Sequence, residues 1–121
     1  NSIMEAYKLP NDSDENKKIR SKAIKVATLY AAQIPLNIMI ESYTSYNIIE
    51  FLANEGNQNS LSDSGVACLC VHTAIHGAYL NVRINLKDVS GGDDLMNKAN
   101  KILKSSHLKK EKIMKLVEDK L

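Results

Sequence analysis

Residues Gly56 to Leu86, GNQNSLSDSGVACLCVHTAIHGAYLNVRINL, set a polar, glycine-bounded turn directly against a long apolar run. The turn carries Asn57, Asn59, Ser60, Ser62 and Asp63, more turn formers than a plain loop needs. The run ends in Asn81, Arg83 and Asn85, polar groups that are costly to bury unpaired among apolar neighbours. Polar clusters joined by one apolar element suggest a site built on a packed helix.

The remaining residues support helices. The 121 residues suffice for one domain with a real core. With five Tyr, one Phe and no Trp, that core must be mainly aliphatic. Five Gly and two Pro are too few for the many turns of a β-sandwich or barrel. The expected fold is all-α, an antiparallel helical bundle forming a single domain over residues 1–121. A net charge of +2, with both signs interspersed, is too mild to imply nucleic acid. Lys101, Lys104, Lys109, Lys110, Lys112 and Lys115 recur at helical spacing and read as a solvated helix face.

Cys68 and Cys70 point to nearly opposite sides of a helix, so they neither bridge each other nor share a metal. Their apolar neighbours suggest buried, reduced thiols. No targeting segment is visible, and a cytoplasmic protein is expected. Asn1 is not a start residue and the chain opens inside a helical pattern, so the domain reads as N-terminally incomplete.

Asn1 to Leu9 reads as a helix end stopped by Pro10. Ser13 is a good N-cap, with Asn16 at the third helical position and Asp14 and Glu15 suited to the positive end of the dipole. Ile19, Ala23, Val26, Ala27, Tyr30 and Ile34 recur at helical steps. At Pro35 the helix either kinks or restarts. Ile38, Ile40, Tyr43, Ile48, Ile49 and Leu52 continue the stripe to Asn54, and Gly56 is a plausible C-cap. Ser60 or Ser62 caps the next helix, which runs to about Leu86. That segment is long enough to consider as a membrane span, but His72, His76, Asn81 and Arg83 argue for a protein core instead. Asp93 or Asp94 starts a last amphipathic helix, which the Ser105-Ser106-His107 stretch is expected to break.

EAYKLP at 5–10, the helix bearing Arg20, the Pro35-Leu36 step, EGNxNSxSDxGVA at 55–67 and GAYLNVRINLK at 77–87 together resemble the cyclodeaminase/cyclohydrolase family. Its members include formimidoyltetrahydrofolate cyclodeaminase and a bacterial methenyltetrahydrofolate cyclohydrolase. The resemblance spans almost the whole chain, in order and with matching spacing. It implies a dimeric all-helical fold with a folate site near the subunit interface, and a further N-terminal segment carrying part of that site. It also implies a tetrahydrofolate derivative as substrate, with no metal and no other cofactor. A formiminotransferase, fused in some relatives, leaves no trace here and would be a separate partner.

In the cyclodeaminase reaction, N10 of the folate attacks the N5-formimino carbon and ammonia leaves. In the cyclohydrolase reaction, water adds to the methenyl bridge. Both need proton transfer at one carbon and donors that hold the folate. Asp63 is the catalytic candidate, as acid/base or as a carboxylate stabilising the cationic bridge; it fits equally an N-cap. Asn57 and Asn59 suit a pterin edge or a turn, including left-handed geometry. Ser60 and Ser62 read first as caps, with Ser62 also a candidate substrate contact. Asn81 and Asn85 share a face and suit either interhelical bonds or ligand. Arg83 suits the folate glutamate tail or a salt bridge within the bundle. Lys8 could meet polyglutamate, or is simply exposed. His72 and His76 stand four apart, but no third ligand completes a metal pattern at the usual spacing, although Cys68 shares their face. The alternative to an enzyme is a non-catalytic helical folate-binding or dimerisation scaffold.

Overall fold

A computed structural model of the protein describes residues 2–121. It contains α1 (Ser2–Tyr7), α2 (Asp14–Glu55), a 3-10 turn (Gln58–Ser60), α3 (Leu61–Leu86) and α4 (Asp93–Lys120), with no strand among the described residues. The all-α expectation is met. The expected helix start at Asn1 lies outside the described residues.

Ser13 caps α2 as its position predicts, its hydroxyl accepting from the Asn16 amide at 3.1 Å. α2 then runs unbroken through Pro35, which is buried, for 42 residues. Neither a restart nor a break occurs there. At the far end Gly56 donates its N–H to the Leu52 carbonyl at 2.8 Å with an ordinary φ of −75°. The Lys120 ammonium, arriving from α4, satisfies the Ala53 and Asn54 carbonyls at 2.9 Å each. A cation at a helix C-terminus both fills orphan acceptors and meets the negative end of the dipole.

The contacts fix the register. Gly65 faces Val117, His72 faces Ser106 and Tyr79 faces Asn100, so α3 and α4 are antiparallel. Tyr46 meets Ser106, Glu50 meets Lys109 and Ala53 meets Lys120, so α2 and α4 run parallel. Asn85 reaches Ala31, so the first third of α2 overhangs the end of α3 and packs with α1. Arg20 ties that end down, donating from Nε and Nη2 to the Tyr7 carbonyl at 3.2 and 3.1 Å. Gly91 takes the left-handed conformation, φ +85°, that turns the chain from α3 into α4.

The core lies along this three-helix seam, formed by Ala32, Leu36, Met39, Tyr46, Ile49 and Ala53 of α2, Leu61, Cys68, Ile75, Val82 and Leu86 of α3, and Ala99, Ile113 and Val117 of α4. It is aliphatic apart from Tyr46, whose hydroxyl pairs with the buried Ser106 Oγ at 2.7 Å. That pairing explains why Ser105-Ser106-His107 does not break α4: the serine hydroxyl finds a partner on another helix instead of competing for its own backbone. Cys68 is buried as expected, and burial pushes its thiol pKa up. Cys70 is exposed, contrary to expectation, because two helical residues of separation carry it to the outer side. The C-terminal lysines are not simply a solvated face. Lys109 is partly buried and binds Glu50 at 2.6 Å, while Lys112 contacts the other Glu50 oxygen. Both hold the Glu50 carboxyl below its ordinary pKa.

Much apolar surface stays outside this core. Ile19, Val26, Tyr30, Ile34, Ile38, Ile48 and Phe51 of α2 are exposed, as are Val66, Leu69, Leu80 and Ile84 of α3. Most of the stripe read along α2 in the sequence is therefore its outward face.

Candidate functional site

Around the N-terminus of α3, Asn57 caps the 3-10 turn, its Oδ1 accepting from the Asn59 amide at 3.0 Å. Its φ is −62°, so the turn needs no left-handed residue. Ser60 occupies the cap position of α3, yet its side chain makes no capping bond. Ser62 lies inside the first turn and is exposed, so neither serine caps through its hydroxyl. Asp63 is the third residue of α3 rather than its cap. Its carboxylate is exposed and has no hydrogen-bond or ion-pair partner among the described residues.

Asp63, Asn57, Ser60 and Ser64 rim a cavity of about 260 Å³ floored by Ile49, Leu52 and Ala67. A carboxylate with no internal partner, beside an apolar floor and the positive end of a helix, is poised to face a cation. The volume falls just below the roughly 300–1,000 Å³ of small-molecule sites.

The second polar cluster lies at the other end of α3. Asp63 and Arg83 are twenty residues apart, about 30 Å along the helix. Asn85 is partly buried and donates from Nδ2 to the Ala31 carbonyl at 3.3 Å, an interhelical bond. Asn81 is exposed and makes no such bond. Arg83 forms no salt bridge within the described bundle, contrary to the structural alternative weighed for it. It lines a shallow depression of about 250 Å³ with Lys87, Asp93 and Met96. Lys8 is exposed after α1, near the overhanging end of α2. The structure thus groups Asn57, Asn59, Ser62 and Asp63 at one end, and Asn81, Arg83, Asn85 and Lys8 towards the other.

Sequence reasoning missed a third group. His72 and His76 on α3 meet His107 of α4, and their ligating nitrogens all lie within 4.8 Å of one another. His72 Nδ1 is 2.9 Å from the buried Ser106 Oγ. Desolvation, then the charges of His107, Lys110 and His76, hold the His72 imidazole pKa below its usual value. Only the i, i+4 spacing of the first two was visible in the sequence.

Comparison with known proteins converges on one family. The formiminotransferase-cyclodeaminase family profile matches residues 1–104. The chain is 30% identical to a methenyltetrahydrofolate cyclohydrolase of Methylorubrum extorquens over 99% of its own length and 59% of that protein. It is 34% identical to the chicken (Gallus gallus) formimidoyltransferase-cyclodeaminase over 74% of its length and 16% of that protein. The solved structure of formiminotetrahydrofolate cyclodeaminase from Thermotoga maritima superposes with a TM-score of 0.70 at 25% identity, covering 99% of this chain and 55% of the other. The chain therefore spans little more than half of the cyclohydrolase and of the solved cyclodeaminase. On the profile match and the shared helical fold, this chain belongs to the formiminotransferase-cyclodeaminase family.

Proposed function

We propose that the protein serves folate one-carbon metabolism as a formimidoyltetrahydrofolate cyclodeaminase or a methenyltetrahydrofolate cyclohydrolase. The observation that carries this reading is the alignment of 99% of the chain with one relative of each activity. The substrate is a tetrahydrofolate derivative, with or without a polyglutamate tail, and the reaction runs without metal or other cofactor. Asp63 acts at the N-terminal end of α3. Its ionised carboxylate stabilises the positive charge of the methenyl carbon, or of the amidinium carbon that N10 attacks before ammonia departs. Ser62, Asn59 and the free amide of Asn57 supply donors for the pterin edge.

The 30 Å between Asp63 and Arg83 keeps them from sharing one folate within a single chain. The exposed stripe Val66, Leu69, Leu80 and Ile84 suggests how they meet. At about 100° per residue, Asp63 and Arg83 flank this stripe on either side. An isologous homodimer pairing two α3 helices antiparallel across it would bring the partner's Arg83 to the Asp63 end, with its guanidinium free for a glutamate carboxylate. α2 and α3 each contain a window apolar enough to cross a bilayer by length and composition. The family match and the His and Arg side chains of α3 favour helix packing over lipid. The protein is accordingly read as cytoplasmic, dimeric and without nucleic-acid or membrane partners, receiving its formimino substrate from a separate formiminotransferase.

The test is absorbance of 5,10-methenyltetrahydrofolate with the full-length protein, beside a formimino-substrate assay for methenyl formation and ammonia release. Methenyl loss above the spontaneous rate identifies the cyclohydrolase, and methenyl gain with ammonia the cyclodeaminase. Asp63→Asn should lower either turnover by about 10²–10³-fold without changing the helical circular dichroism. Folate binding with no turnover in either assay would leave a binding scaffold and sink the enzymatic reading.

A further inference from the structure

Halfway along α3, on the side turned away from Asp63, three imidazoles converge. His72 and His76 lie one turn apart on α3 and His107 comes from α4. The ring centroids are 4.7 Å apart for His72 and His107, 6.0 Å for His76 and His107, and 6.1 Å for His72 and His76. Imidazole nitrogens around a tetrahedral zinc lie about 3.4 Å apart, as bonds of about 2.1 Å require. The observed limit of 4.8 Å is therefore within a modest side-chain rotation of that arrangement.

The His72 end is built rather than accidental. Its Nδ1 meets Ser106 Oγ at 2.9 Å, and Ser106 Oγ meets the Tyr46 hydroxyl at 2.7 Å. Ser106 and Tyr46 are both fully buried, so this chain cannot swing away. With His72 Nδ1–H donating to Ser106 Oγ, the serine hydroxyl donates on to Tyr46. His72 Nε2 then carries the ring's free lone pair. An outer hydrogen bond that fixes the tautomer and aims the other nitrogen is the usual support of a metal-bound histidine. His76 is exposed in the single chain, which leaves an entry path and room for a water as fourth ligand there. Among the described residues, Lys110 of α4 is the one lysine whose charge bears on His72.

We infer that His72, His76 and His107 form a site for a divalent transition-metal ion, of which zinc is the natural occupant, joining α3 to α4. Three neutral imidazoles with an open fourth position suit zinc, cobalt(II), nickel(II) or copper(II) and not the oxygen-seeking magnesium or calcium. The site faces about 180–220° around α3 from Asp63 and stands nine residues along from it, so it is separate from the Asp63 cavity. Its effect is to clamp two helices and to stabilise the folded state by mass action, because the unfolded chain does not hold the third ligand in place.

The experiment uses the full chain, without an affinity tag and stripped with a chelator, titrated with zinc sulfate by calorimetry and with cobalt(II) by visible absorbance. The expected result is one ion per chain, a tetrahedral cobalt spectrum and a rise in Tm. His76→Gln touches only an exposed side chain, and His107→Gln removes the α4 ligand. Each should weaken zinc binding at least tenfold while metal-free circular dichroism stays unchanged. Absence of binding, or affinity that survives His107→Gln undiminished, would overturn the site; the latter would show that only the adjacent pair on α3 takes up the ion. None of these readouts depends on folate turnover.

Discussion

The two sides of α3 have similar composition and opposite fates. One side, carrying Leu61, Cys68, Ile75, Val82 and Leu86, is sealed against α2 and α4. The other, carrying Val66, Leu69, Leu80 and Ile84, is 46–65% exposed although its residues are as apolar. A helix that is apolar around most of its circumference belongs inside a larger assembly than the one that buries half of it. Periodicity shows that a face is to be covered; it does not say whether by the same chain or by another.

Substitutions on the two sides should separate these fates. Ile75→Ala removes a fully buried side chain and should cost about 2–5 kcal/mol, read by chemical denaturation. Leu80→Ala should change the denaturation of the isolated chain by about 0.5 kcal/mol or less, yet weaken self-association in sedimentation. Equal effects of the two on fold stability, with association unchanged, would break the contrast. Ser106→Ala comes next. It removes the partner of His72 Nδ1 and leaves the fully buried Tyr46 hydroxyl only its long 3.5 Å bond to the Ser106 carbonyl, and should cost about 1–3 kcal/mol, with a perturbed tyrosine near-UV signal as its signature.

The smallest effect is expected at Glu50, on the rim where α2 meets α4. Its carboxyl is held below the ordinary value of 4.5 by Lys109 and Lys112. A lowered folded-state pKa stabilises the fold above the unfolded value, and that stability is lost as pH falls through the folded value. Glu50→Gln should therefore flatten the acid side of the stability profile below about pH 4.5, by on the order of 0.5–1 kcal/mol. An unchanged acid limb would show that the pair adds nothing.

What was legible in the sequence was local. Ser13, Gly56 and Asp93 marked helix ends through caps and dipoles that act within one turn, and they stand where their chemistry places them. The five family motifs also lay in plain order. Features that depend on distant partners were hidden. Pro35 reads as a breaker, yet α2 passes through it, with its ring buried in the bundle. Ser106 reads as a helix disturber until Tyr46, sixty residues earlier, takes its hydroxyl. His107 gave no sign of joining His72 and His76, because antiparallel packing of α3 on α4 makes that meeting. The polar turn at Asn57–Asp63 stood out in the sequence by its composition. Neither Ser60 nor Ser62 caps α3 through its hydroxyl, and Ser60 stands at the cavity rim.

The fastening of α2 by Lys120 ties the end of α4 to the end of α2 beside the Asp63 cavity. The ammonium that closes the last carbonyls of α2 sits one residue from the end of the described chain, and those carbonyls border the Leu52–Gly56 edge of the Asp63 cavity. Replacing Lys120 by a neutral, shorter side chain would leave the core intact but loosen the frame of the candidate site. Activity would then suffer before the fold does.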